Sequence, residues 1–390
     1  MFSNLETFVF YGIILFLCCF LSIIGEKTGK KGFIRFAYVI LFLVSALRYD
    51  IGNDYENFFY DVSKQLQFGL IENYNKNFDV GSIMVSIMTS IVPNVKCGPF
   101  IIIALYSFFF LFFVYKAIDR INAHTIGIFL LFVLLFIFKY WDWIKQGVAT
   151  AIFLYSILFI VQKKPKKFLA WVLFASLWHI SALVTLIVYP ISLIRLSSKK
   201  LASILVVCLV LVEVGLFRGF YNVVLSSVPY YKEVYELSKY AEMDNFIFSG
   251  TKTFIITSLW FIFLLFFSPE KRVLKGKSQS IVLVQTYSNI VFVGALIYMI
   301  SSGALLLDRI SYYFLIAQLI LVPLVLRSFN SKDIIKRGII SLMLVFHFVL
   351  YSYLIFNEEG LNGSNKYESV FSDNCGNHRF RYRSYEFLND

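Results

Sequence analysis

The sequence is poor in charge, proline and cysteine, and it lacks the short motifs that usually anchor an enzymatic assignment. Only 15% of the 390 residues are charged and seven are proline, whereas a soluble domain carries about 25% charged residues. The five cysteines, Cys18, Cys19, Cys97, Cys208 and Cys375, form no Cys-x-x-Cys pair and have no histidine cluster beside them. Neither a metal site nor a disulfide framework is indicated. No Asp-x-Asp, His-Glu-x-x-His or Walker loop occurs, so metal-dependent and nucleotide-driven reactions have no support. No internal repeat, low-complexity tract or Gly/Ser/Pro linker marks a boundary, and one membrane domain over 1–390 is the simplest reading.

What is abundant is apolar and aromatic. With 59% hydrophobic residues and 44 Phe, 25 Tyr and 5 Trp, the chain cannot hide its apolar excess inside a water-facing globule. The first apolar run, Phe8 to Ile24, lacks the basic start and small-residue cleavage site of a signal peptide and reads as a retained span. Further apolar runs predict spans at about 33–47, 99–115, 125–138, 147–161, 201–217, 253–268, 281–302, 307–326 and 339–356. The expected fold is an all-α polytopic integral membrane protein of about 12 transmembrane helices.

Two stretches are ambiguous. Segment 79–92 is short for a span and reads as a re-entrant or interfacial helix, while 168–194 is either one span or a hairpin of two half-length helices with His179 at its tip. Positive-inside counting arbitrates. A non-crossing 79–92 with a hairpin at 168–194 puts Lys116, Arg120, Lys163, Lys164, Lys166 and Lys167 in the cytoplasm, against Lys96, Lys139 and Lys145 outside. Both termini then lie outside, as do 48–98, the turns at 139–146 and 303–309, 218–252 and the tail 357–390. The net charge of +12 thereby becomes an orienting signal, and no nucleic-acid partner is implied.

Several polar residues are not explained by hydropathy. Arg48, Asp50, Gly52 and Asp54 gather at a membrane edge, where a plainer account has Arg48 reaching the interface and the acids capping the next helix. Trp141 and Trp143 fit an interfacial aromatic belt, with Lys145 and Gln146 at the entrance of the following span. His179 sits in the middle of an apolar stretch, where an imidazole is costly enough to be a functional candidate. Asp308 and Arg309 interrupt another apolar run, followed by Tyr312 and Tyr313. The topology places Arg48, Lys145, His179 and Arg309 on one outer face, around a cleft. Cations around a cleft suit a diphosphate, and a carboxylate or imidazole beside them could take a proton from an attacking hydroxyl.

Four blocks carry a resemblance. Arg48-Tyr49-Asp50-Ile51-Gly52-Asn53-Asp54-Tyr55, Lys145-Gln146-Gly147-Val148-Ala149, His179-Ile180-Ser181-Ala182 and Arg309-Ile310-Ser311-Tyr312-Tyr313 together resemble the EpsG family of Wzy-like polysaccharide polymerases. The Arg-Tyr-x-x-Gly-x-Asp-Tyr block is the specific signal. Asn53 stands where the family commonly has Thr, and Lys145 where it commonly has Arg; the second change keeps charge but loses bidentate geometry.

The resemblance implies a metal-independent glycosyltransferase of the bacterial inner membrane, working at the periplasmic face on O-antigen, capsule or exopolysaccharide. Donor and acceptor are expected to be undecaprenyl-diphosphate-linked glycans in the lipid bilayer, with a chain-length regulator and a flippase of the same pathway as partners and no cofactor. In this scheme Arg48 and Arg309 hold the diphosphate with Lys145 in support. Asp54 or His179 is the base, Asp50 orients Arg48, and Gly52, Tyr55, Gln146, Asp308 and Tyr312 support the site. The Tyr-rich 218–252 segment would offer stacking surface for sugars. An O-antigen ligase using the same donor, or a lipid-linked oligosaccharide flippase, are the competing readings.

Overall fold

The computed structural model describes residues 2–52, 54–55, 100–216, 252–269, 278–301, 305–329, 333–356, 364 and 366–373. The expectations for 79–92 and the rest of 56–98, for nearly all of the 218–252 segment and for most of 357–390 lie outside the described residues. The helices are α1 (Asn4–Thr28), α2 (Lys31–Ala46), α3 (Phe100–Asp119), α4 (His124–Val133), α5 (Phe136–Asp142), α6 (Ile144–Val161) and α7 (Pro165–Ser176). After a 3-10 stretch (Ile180–Ile187) come α8 (Val188–Leu193), α9 (Ser198–Glu213), α10 (Lys252–Phe266), α11 (Ser278–Ser301), α12 (Leu305–Leu315), α13 (Gln318–Ser328) and α14 (Ile334–Phe356).

The chain is a multi-pass membrane protein, and α1 shows why. Its start is fixed by a capping box, in which Ser3 accepts from the Glu6 amide at 3.2 Å while Glu6 accepts from the Ser3 amide at 2.7 Å. Its buried stripe is Thr7, Tyr11, Leu15, Cys18, Ser22 and Gly25, whereas Ile13, Phe16 and Phe20 are exposed. Small and hydroxylated residues inside with large apolar ones outside is the pattern of a helix in hydrocarbon.

Among the described residues, five helices are long and apolar enough to cross a bilayer: α1, α3, α6, α11 and α14. Two bent pairs, α4 with α5 (56°) and α12 with α13 (44°), raise that to seven if each is one span. The remaining expected spans appear as shorter helices, with 16 residues in α2 and α9, 15 in α10 and 12 in α7, against the about 20 residues of a full crossing. Stretch 168–194 is not one helix. It breaks at Leu177–His179 between α7 and the 3-10 stretch.

The chain forms two compact units. The first comprises Met1–Leu158, Lys166–Leu183 and Leu344–Asp390; the second, Phe159–Pro165 and Val184–Met343. In the first, one end gathers the acidic and basic termini of four helices. Glu26 accepts from the Thr125 amide at 3.0 Å and hydroxyl at 3.1 Å, and Lys31 pairs with Asp119 at 3.0 Å. At the other end Asn4 donates to the Phe356 carbonyl at 3.0 Å, which places the start of α1 beside the end of α14. Arg48, following α2, contacts Ser107 near the start of α3.

In the second unit the residues around Leu196, Phe266 and Phe329 are held by contacts between helix ends. Leu196 accepts from Gln285 at 3.1 Å, Lys199 lies over the Phe266 ring at 6.0 Å, and Arg337 donates to the Phe329 carbonyl at 2.6 Å. Phe267 meets Phe329 at 6.4 Å. Polar side chains close the helix ends that hydrocarbon would leave unsatisfied. Asn289 donates to the Ile191 and Ile194 carbonyls, both at 2.9 Å, and Gln318, at the α12–α13 bend, accepts from the Trp260 indole at 2.6 Å.

Candidate functional site

The segment after α2 is pinned by the tail. The Tyr49 amide donates to Glu368 and the Val370 amide to Leu47, both at 2.9 Å, so that Arg48 and Ser369 form an isolated antiparallel bridge. Tyr367 seats the tail: its hydroxyl donates to the Val44 carbonyl at 3.1 Å, its amide donates to the Thr7 hydroxyl at 2.9 Å, and its ring packs on Phe10 at 4.6 Å. Burial pushes the Tyr367 phenol up to about 12, with the Arg48 charge opposing.

This framework holds Arg48 fully buried. The guanidinium lies between the rings of Tyr140 (5.6 Å) and Trp141 (5.5 Å). One terminal nitrogen, Nη1, donates to the Ser45 carbonyl and to the Ser107 hydroxyl at 3.4 Å. The cradle is itself braced. Tyr140 donates to Ser107 at 3.0 Å and stacks on Phe110 at 4.0 Å, and the Trp141 indole donates to the Ser45 hydroxyl at 3.1 Å. Arg48 Nε and Nη2 have no hydrogen-bond partner among the described residues. A buried charge is costly unless it is paired, and cation–π contact offsets only part of that. Two adjacent guanidinium donors without partners form the fork that a carboxylate or phosphate fills.

Gly52 docks the same block onto α5. Its φ of +95° is open to glycine, and a Cβ there would overlap the Trp141 carbonyl and come within 3.0 Å of the Asp142 Cα. Asp50 is buried with φ +49°, a left-handed setting that Asp tolerates better than most residues. Tyr55 is buried against Tyr49 at 5.7 Å, and its phenol is pushed upward chiefly by burial. Asp54 is half-buried in the turn closed by the Tyr55 amide on the Gly52 carbonyl.

The expected 139–146 turn is helical to Asp142, and only Trp143 separates α5 from α6. Trp141 and Trp143 are buried in protein instead of forming a belt. The physical reason is the break before α5: Leu135 takes φ +61°, which turns the chain so that the Trp141 face meets Arg48. Lys145 is half-buried and Gln146 buried in the first turn of α6. The next residue, Gly147, lets that turn approach Tyr140, whose Cδ2 would lie 2.5 Å from an added Cβ.

Trp178 packs on Tyr106 at 5.4 Å and Phe109 at 4.9 Å, placing His179 at the level of α3 that carries Ser107. The His179 Nδ1 contacts the Ser181 hydroxyl at 2.6 Å. Arg309 belongs to the second unit. It and Asp308, expected in a turn over 303–309, lie within α12, where an acid in the first turn complements the helix dipole. Tyr312 is half-buried there and Tyr313 buried. The first unit thus brings together Arg48, Gly52 and Tyr55 beside α3 and α5, while the His179 turn meets α3 through Trp178. Sequence reasoning missed Ser107, Tyr140 and the tail residues Tyr367 to Val370. Among the described residues no three His, Cys, Asp or Glu side chains converge as metal ligands.

A family model described as the EpsG family matches residues 31–369. The chain belongs to the EpsG family. It is a Wzy-like polymerase family. The match opens at the first residue of α2 and closes at Ser369, the bridge partner of Arg48, so Arg48 and its bridge partner both fall within the matched residues. No curated protein and no solved structure matches the chain.

Proposed function

We propose that this EpsG-family chain is a polysaccharide polymerase that joins undecaprenyl-diphosphate-linked repeat units at the periplasmic face of a bacterial inner membrane. The observation that carries the proposal is Arg48: a buried guanidinium in an aromatic cradle with Nε and Nη2 open among the described residues. A diphosphate oxygen pair is the anion that such a fork fits and that a polyprenyl-linked donor brings.

In the proposed reaction the bond between the anomeric carbon of the growing glycan and the diphosphate oxygen breaks. A new glycosidic bond forms to a hydroxyl of the incoming repeat unit. The hydroxyl proton passes to Asp54 or His179, and undecaprenyl diphosphate leaves with the bonding electrons. Arg48 and Arg309 stabilise the charge that develops on the leaving diphosphate, Lys145 supports them, and Asp50 orients Arg48. Nothing in this chemistry calls for a nucleotide sugar or a metal. The test is the length distribution of surface polymer in a host that depends on this gene. Arg48→Ala and Arg309→Ala proteins that insert normally are expected to leave single repeat units, and wild-type chain lengths in both would overturn the assignment.

A further inference from the structure

The opposite end of the first unit carries a second feature. Between α2 and α3 runs an open groove of about 780 Å³. Its walls are apolar, with Val39, Phe42 and Phe108 exposed or half-exposed along it, and its mouth is cationic, with Lys31, Arg35 and Lys116 around the opening. We infer that this groove binds an anionic diacyl phospholipid, with the phosphate at the Lys31, Arg35 and Lys116 mouth and an acyl chain along the apolar walls.

Charge supplies the first argument. Asp119 is the one acid lining the groove among the described residues, and it is engaged by Lys31 at 3.0 Å and by the His124 ring at 3.3 Å. Arg35 and Lys116 carry no ion pair among the described residues, and Lys116 is held over the Phe112 ring at 5.4 Å. The mouth also coincides with the start of α2, whose N-cap, Lys30, supplies no side-chain hydrogen bond, so the helix dipole adds to the positive potential. Dimensions supply the second. From Lys31 to Phe42 α2 rises about 17 Å, roughly one leaflet of a ~30 Å hydrocarbon core. A free phosphate would use only the mouth, and a zwitterionic lipid, whose own cation offsets its phosphate, would bring the uncompensated cations no net counter-charge. Because α2 begins at the mouth and ends next to Arg48, this site is separate from the proposed polymerase centre and does not depend on it.

The test is native mass spectrometry of the full-length protein extracted from bilayers containing equal phosphatidylglycerol and phosphatidylcholine. Wild-type protein is expected to retain phosphatidylglycerol at least about fivefold over phosphatidylcholine, and the double variant Arg35→Gln/Lys116→Gln about tenfold less of it, since each basic residue near an anionic surface contributes appreciably. Added salt is expected to lower wild-type retention of phosphatidylglycerol, a measurement that needs no variant. Equal retention of the two lipids, indifference to salt, retention unchanged in a normally folded double variant, or displacement by a polyprenyl phosphate would each overturn the inference.

Discussion

Gly52 rests against the main-chain carbonyl of Trp141, and through that contact the Arg48-to-Tyr55 block is held on the end of α5. Two independent conditions make glycine necessary there: a φ of +95° and the absence of room for a Cβ. The position is therefore a sensitive probe of whether the docked block is the working part of the molecule.

Gly52→Ala is expected to lower thermal stability in detergent and to abolish polymer extension. The left-handed backbone alone costs an L-residue about 1–2 kcal/mol, and the overlap with Trp141 adds to that. Gly12→Ala is the matched control. Nothing lies within 4 Å of its would-be Cβ on an exposed face of α1, and helix propensity favours Ala by about 1 kcal/mol. Its melting temperature should be unchanged or slightly raised, with normal polymer.

Ser107 links Arg48 to Tyr140 by accepting from both. Ser107→Ala leaves two buried donors short of an acceptor, and a loss of about 1–3 kcal/mol is expected together with shortened polymer. Ser258 is buried too, but its hydroxyl has no partner among the described residues. Ser258→Ala should be neutral or stabilising in the same thermal assay.

The tail is expected to be needed at the site. A chain ended after Phe356 loses Ser369 opposite Arg48 and should insert normally yet extend polymer poorly. Within the tail, Tyr367→Phe removes the hydrogen bond to Val44 and should cost about 0.5–1.5 kcal/mol. The pH dependence has a definite sign. The folded phenol titrates at about 12, above the ~10 of an unfolded tyrosine, so its contribution is complete below pH ~10 and fades as pH rises towards about 12. The gap in stability between wild type and Tyr367→Phe should be flat at neutral pH and narrow in strongly alkaline buffer.

How much of this was legible in the sequence follows from the range of each interaction. The apolar runs produced helices where expected, because a hydrocarbon solvent enforces them locally. The break at Leu177–His179 falls where the sequence allowed two half-length helices in place of one span. The bend at Leu134–Leu135 was not, since two leucines carry no breaker signal. That bend converts Trp141 from an expected interfacial anchor into the wall of the Arg48 cradle. Nor could the pairing of Leu47–Tyr49 with Glu368–Val370 be foreseen, as it joins segments far apart in the chain without any periodicity to announce it. Ser107 lay unnoticed for a related reason: a lone serine in an aromatic helix means little until Arg48 is placed beside it.

Under the proposed function, Arg48 is buried with open donors for the sake of a substrate anion and at some expense to stability. Arg48→Met tests it most directly, read out on one preparation by thermal unfolding and by surface-polymer length. Met keeps contact with Tyr140 and Trp141 while removing the charge, and exchanging buried ionic groups for well-packed apolar ones is often neutral or stabilising by about 1–4 kcal/mol. The expected result is a protein at least as stable as wild type that leaves only single repeat units. Wild-type polymer lengths in Arg48→Met would contradict the account.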